Sequence, residues 1–301
     1  MFAGAGLWRR RTGFALGGVI GVAMMTAHGE ALAASPKCAA PPVRELRSLM
    51  LTPGREFAAN SYLYRDLSTD VPKDAHSELW IKSLLRQIGN HYGVVSVNID
   101  SYAPPIFIAD RENPTVRVGG RIEALGKNPG YFEPTPEGYK FGTTATGLAM
   151  LGGLITIAEQ RAGIVDHAIH MALPETRRGH WAWPAQRSDG DEDDPDAIPQ
   201  GATFRLPHEL NLDQIDMDPY ARMLARAVQK HGLVVRDTAG AVVLYAENPL
   251  ACGAGDPYTG VGGILGWPGG RETEECYPDS NHRLRGFPWD RLEAVRATMQ
   301  P

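Results

Sequence analysis

Between Ile164 and Leu173 the chain alternates: Val165, His167, Ile169, Met171 and Leu173 fall on one face of an extended segment, and Asp166, Ala168, His170 and Ala172 on the other. A two-residue period of this length commits the middle of the chain to a strand, and a strand needs a sheet around it. Further strands are expected at Val94–Ile99, Ile106–Ile108, Trp181–Pro184 and Thr203–Leu206. Leu233–Asp237 and Ala241–Glu247 flank Thr238-Ala239-Gly240, which reads as a three-residue hairpin loop. Three helices are expected beside them. In Ser77–Tyr92, the residues Leu79, Trp80, Leu84, Leu85 and Ile88 make an apolar face before Gly93. In the second, Asp218 caps, Pro219 opens, and Tyr220, Met223, Leu224, Ala227 and Val228 form the stripe before Gly232. The third runs from Trp289 to Met299. Short strands with helices added rather than alternating predict a mainly β fold, a β-sandwich with a few peripheral α-helices, rather than a doubly wound sheet.

The N-terminus sets the compartment. Arg9-Arg10-Arg11 precede the apolar run Thr12–Ala27, and Ala31-Leu32-Ala33 then places small residues at alternate positions, the order of a secretory signal. The run is too short and too rich in glycine for a membrane span. Residues 1–33 are therefore read as a cleaved signal peptide, 34–76 as an extended leader, and 77–301 as a single β-sandwich domain; the secreted chain acts in an extracellular or periplasmic space. The formal net charge of −5 becomes −7 once the three arginines and one glutamate of residues 1–33 are removed. So acidic a chain is a poor partner for nucleic acid, and it lacks the basic clusters that would hold it to an anionic membrane. Export permits disulfides, and Cys252 with Cys276 is the expected pair, which leaves Cys38 odd.

Ordered blocks along the chain resemble a large group of secreted, largely uncharacterised bacterial proteins common in actinobacteria. They are Thr144-Ala145-Thr146-Gly147-Leu148, Leu151-Gly152-Gly153-Leu154-Ile155, Ala162-Gly163-Ile164-Val165-Asp166-His167-Ala168, Trp183-Pro184-Ala185, Arg187-Ser188-Asp189-Gly190, Asp196-Ala197-Ile198-Pro199, Phe204-Arg205-Leu206, Val234-Val235-Arg236-Asp237 and Gly286-Phe287-Pro288-Trp289. The resemblance implies a jelly-roll-like sandwich of the kind seen in polysaccharide-active proteins, with a polysaccharide or cell-surface glycan as partner. It also implies that several dozen strand-forming residues are missing where Pro114–Val118 passes directly into Gly119-Gly120-Arg121-Ile122, leaving an exposed edge or a partly opened cleft.

The candidate site residues follow from chemistry. His167 on a sheet face has the basicity for general-base work in a glycosidase or polysaccharide lyase, although its neighbours on that face are apolar; Asp166 and Arg187 are the other candidate catalytic groups. Asp166 and His170 share a face, but four residues of strand would hold them about 13 Å apart. Trp181 and Trp183, two residues apart, would point the same way and offer a stacking platform for sugar rings. Asp189, Asp191 and Asp193 set hard oxygen ligands at alternate loop positions, which suits calcium, although the order is not that of an EF-hand and a solvated acidic loop reads as well. No other cofactor is indicated. The leading expectation is a secreted carbohydrate-active enzyme, a glycosidase or polysaccharide lyase working in the sandwich cleft; the alternative is a non-catalytic extracellular glycan- or surface-binding module, a truncated family member without activity.

Overall fold

A computed structural model describes residues 57–67, 71–99, 102–106, 131–132, 141–249, 257–258, 263–265 and 281–300. Residues 1–33, read as a signal peptide, the Val118–Gly119 junction and the expected Cys252–Cys276 pairing lie outside them, as does most of the strand expected at Ile106–Ile108.

Local signals account for the helices. α1 spans Ser77–Asn90, α2 Ile157–Ala162 and α3 Pro219–Lys230. At the start of α3 the Asp218 carboxylate accepts the Tyr220 amide at 2.7 Å, and Pro219 sits at the first helical position, where its missing N–H costs nothing. The α3 stripe is buried as its spacing predicts. In α1 the buried face is Ser77, Trp80, Ile81, Leu84 and Gln87, while Leu79 and Leu85 are exposed at 48% and 38%. The inward arc thus holds two polar residues that apolar patterning passes over, and each is bonded. Ser77 Oγ accepts the Ala294 amide at 2.8 Å, and the Gln87 amide group exchanges two bonds with the Glu175 backbone.

Ten strands are described: β1 (Ser96–Asn98), β2 (Tyr131–Phe132), β3 (Phe141–Gly142), β4 (Ile169–Leu173), β5 (Trp181–Ala182), β6 (Thr203–Arg205), β7 (Leu233–Thr238), β8 (Val243–Tyr245), β9 (Glu293–Ala294) and β10 (Met299–Gln300). Six make one sheet in the order β1-β8-β4-β7-β6-β9; β10 pairs with β5 and β2 with β3 in two-stranded ribbons. The large sheet is mixed, with β1–β8 and β4–β7 parallel and the other pairs antiparallel. A β-rich fold with few helices is therefore present. Helices, rather than a facing second sheet, cover one side of it among the described residues.

β4 is central, and all five of its residues are buried. Ile169, Met171 and Leu173 face a core shared with α1 and α3, together with Phe204, Leu233, Val235 and Leu244. On the other face Ala168 and Val234 pack on Leu63 and Leu148, while Ala172 and Tyr245 pack on Leu154. Irregular chain closes that second face, and the candidate site lies there. Each fully buried aliphatic side chain stabilises the fold by about 2 kcal/mol relative to exposure.

Two expectations are corrected. β7 and β8 do not form a hairpin: β4 lies between them, parallel to one and antiparallel to the other, and the Ala239 amide donates to Leu173 O at the end of β4. Nor is there a helix at Trp289–Met299. A short 3-10 turn, Trp289–Arg291, leads into β9, which pairs with β6, and the Glu293 carboxylate meets Arg205 at 2.8 Å. The open edge of β6, an ion partner and a buried place for Ala294 outweigh the helical spacing of that segment.

Candidate functional site

Residues 57–67 lie across the loop-covered face of the sheet. Ser61 caps a 3-10 turn, Tyr62–Tyr64, and Leu63 points inward; Ala168 donates to Leu63 O at 2.7 Å and Leu67 donates to Lys230 O at 2.6 Å. With Leu63 buried, the half-buried Tyr62 is left at the surface. Facing it, Thr144-Ala145-Thr146-Gly147-Leu148 folds into a tight loop, closed by Thr144 N donating to Leu148 O at 2.8 Å. The Thr146 hydroxyl ties this loop to the sheet by donating to Arg236 O at 2.6 Å. The third wall follows β5. Trp183 donates its amide to Thr298 O, leads into Pro184 through a cis peptide bond, and is 51% exposed as a residue.

These walls enclose an open pocket of about 320 Å³, lined by aromatic and apolar groups including Phe57, Tyr62, Leu148 and Trp183, with Gln186 as a polar side chain at its mouth. The Tyr62 and Trp183 rings meet edge to face, 5.8 Å apart at 78°. A second, smaller pocket of about 40 Å³ lies on the other side of Tyr62, Trp183 and Pro184, which line both; Arg65, His231 and Arg296 belong to it.

Behind Tyr62 stands His170, fully buried, with its Nε2 2.9 Å from the phenolic oxygen. Burial, reinforced by the positive charges of Arg236 and His167, pushes the His170 pKa well below the ordinary histidine value. Burial likewise raises the Tyr62 hydroxyl, against the opposing pull of Arg236. Both groups are therefore neutral near pH 7, so Tyr62 offers the pocket a phenol rather than a phenolate. Arg236 is itself buried, its guanidinium 3.6 Å above the Tyr245 ring and donating to Met150 O at 3.2 Å.

The candidate catalytic residues are not brought together, and none of them lines either pocket. His167 is 5% exposed, with Nδ1 2.8 Å from Ala168 O and Nε2 3.1 Å from the buried Glu159 carboxylate. Arg187 donates Nε to Ala145 O at 2.6 Å, helping to hold the Thr144–Leu148 loop. Asp166 precedes β4 rather than sharing its face with His170. It meets Lys230 Nζ at 2.6 Å and His231 Nε2 at 3.0 Å, and His231 Nδ1 lies 3.0 Å from Arg65 O. Of the two tryptophans only Trp183 lines a pocket. In the acidic loop, Asp189 accepts from Gln200 and from the Thr238 hydroxyl, and Asp193 pairs with Arg178 at 2.7 Å, whose guanidinium also donates to Asp191 O. Two of the three expected ligand carboxylates are thus bonded to different partners. Among the described residues no group of three or more His, Cys, Asp or Glu is placed to hold a metal, and no helix is long and apolar enough to cross a membrane.

Sequence reasoning missed Phe57, Tyr62 and His231. The first two lie in a stretch read as leader, and His231 follows a helix whose stripe does not include it.

The Asp166 cluster makes a prediction about acid stability. Burial works to raise the Asp166 carboxyl, but hydrogen bonds and charge from Lys230 and His231 outweigh it and hold it at about 2. A depressed carboxyl stabilises the fold fully above its unfolded value near 3.8, and that contribution is lost as pH falls through about 2. Asp166→Asn is expected to cost about 1 kcal/mol at neutral pH, a figure discounted for the partial exposure of the pair. The same substitution should flatten the stability profile between pH 4 and pH 2 in urea titrations; an unchanged profile would remove Asp166 from this role.

Comparison of the chain with protein-family models, with curated proteins and with solved structures finds no match in any of the three.

Proposed function

We propose that this is an exported glycan-binding protein that holds a sugar ring in the pocket between Tyr62, Phe57 and Trp183. The observation that carries the reading is the pocket itself: about 320 Å³, walled by aromatic rings, with half of Trp183 in solvent and no carboxylate among its described lining residues. That volume is at the lower end for small-ligand sites, and apolar sugar faces stack on such rings while hydroxyls meet polar groups at the rim. The signal-like N-terminus and the motif blocks resembling secreted, largely uncharacterised proteins, whose implied fold is of a kind seen in polysaccharide-active proteins, point the same way.

An enzymatic reading has one observation in its favour, the His170–Tyr62 hydrogen bond at the pocket wall. Tyrosine does base chemistry as a phenolate, and the burial that keeps both partners neutral works against that state. Tyr62 is better suited to donating or accepting a hydrogen bond from a bound sugar.

The test is retention on a panel of insoluble polysaccharides, with reducing ends and unsaturated uronate absorbance followed in the same samples. The native chain is expected to be retained without releasing either product. Trp183→Ala, at an exposed position, should fold normally and weaken retention at least about thirtyfold, the ~2 kcal/mol typical of a hot-spot aromatic. Retention unchanged in Trp183→Ala would overturn the site, and steady product release would favour the enzyme.

A further inference from the structure

The smaller pocket beside the Trp183 ridge assigns a charge to the ligand. It is lined by Arg65, Arg296 and His231 and by no carboxylate among its described residues, in a chain whose net charge is −5. Neither Arg65 nor Arg296 forms an ion pair with a described carboxylate, and both residues are exposed. The nearby acid, Asp166, is already engaged by Lys230 and His231. His231 in turn fixes the Arg65 backbone through its contact with Arg65 O. Two arginines thus line a small cavity of about 40 Å³, enough for a carboxylate.

Tyr62, Trp183 and Pro184 line both cavities, so a ring seated in the larger one can send a substituent past the Trp183 edge into the smaller. We infer that the ligand is an acidic glycan, whose sugar ring stacks in the aromatic pocket while its carboxylate or sulfate is taken by Arg65 and Arg296. The inference rests on the glycan-binding reading and adds the ligand's charge to it. Guanidinium groups suit this work because they stay cationic and donate in pairs to planar oxyanions.

The experiment measures binding of the full chain to acidic oligosaccharides, each beside its neutral counterpart: galacturonate, glucuronate and mannuronate oligomers with their methyl esters, and a sulfated galactose oligomer with its desulfated form. For at least one pair the acid should bind about tenfold or more tighter than the neutral form, as expected for charge-assisted hydrogen bonds. That ratio should shrink as salt rises. Which pair shows it distinguishes carboxylate from sulfate. In Arg65→Gln/Arg296→Gln the ratio should fall to about one, whereas Trp183→Ala should weaken acid and neutral forms alike. Equal binding of acidic and neutral forms by the native chain would overturn this inference and leave the sugar site standing. A preference that survives in the double arginine variant would also overturn it. No binding of any oligomer would overturn the sugar site and the inference together.

Discussion

Gly201→Ala is expected to leave little folded protein. Gly201 has φ +87°, a left-handed conformation that costs an L-residue about 1–2 kcal/mol. The larger cost is steric. A Cβ at this position would lie 1.8 Å from Ala182 O and 2.7 Å from Ala182 C. Neither chain can retreat: the Ala182 amide donates to Gln200 O at 2.8 Å, and the Gly201 amide donates to Val235 O at 2.7 Å, in β7. Relief would require breaking one of these buried bonds, so the total loss should be at least about 4 kcal/mol, a large share of a typical domain's stability. Gly179 is the control, since it has φ +68° but nothing within 4 Å of an added Cβ. Gly179→Ala should therefore cost only the backbone strain, about 1 kcal/mol. Denaturant unfolding of the two variants reads the difference directly, and equal midpoints would mean that β5 does not approach residues 200–202 this closely. Because β5 leads directly to Trp183, Gly201→Ala should also abolish glycan retention by any fraction that remains soluble.

The same close approach shows what local sequence can and cannot specify. α3 is readable because its cap, its opening proline and its stripe are all local. The inward arc of α1 is harder, because two of its members, Ser77 and Gln87, are polar and are satisfied by partners more than 80 residues away. β4 is readable as a strand from its alternation, yet its start at Ile169 is not, since Asp166 is drawn instead to the end of α3 by Lys230 and His231. The segment from Leu233 to Glu247 carries every local mark of a hairpin and still fails to be one, because β4, some 60 residues upstream, fills the slot between its two strands. Likewise the helical period of Trp289–Met299 yields to the free edge of β6. For the site, Trp183 was legible from its two-residue spacing from Trp181, although only Trp183 lines a pocket. Its companions were not: Phe57 and Tyr62 become pocket walls only because buried Leu63 pins their segment across the sheet.

Glu159→Ala is expected to be strongly destabilising although its side chain lies outside both pockets. Glu159 is buried and does two things at once. It closes the capping box of α2, where its carboxylate accepts the Thr156 amide at 3.0 Å and the Thr156 hydroxyl at 2.8 Å. It also faces the buried His167 ring at 3.1 Å. Losing the cap costs about 1 kcal/mol, and leaving a buried histidine without its carboxylate costs about 2–3 kcal/mol more. A total near 3–4 kcal/mol is expected in urea unfolding. Glu159→Gln separates the two contributions, because glutamine still closes a capping box but brings no charge to His167, and it should recover about the capping share. The pair of variants also tests what His167 is for. Neither Glu159 nor His167 lines a pocket, so whatever fraction of Glu159→Gln folds should be retained on glycan as the native chain is. If that variant instead folded normally and lost retention, His167 would have to be counted with the ligand rather than with the core, and the aromatic pocket would be the wrong place to look for the sugar.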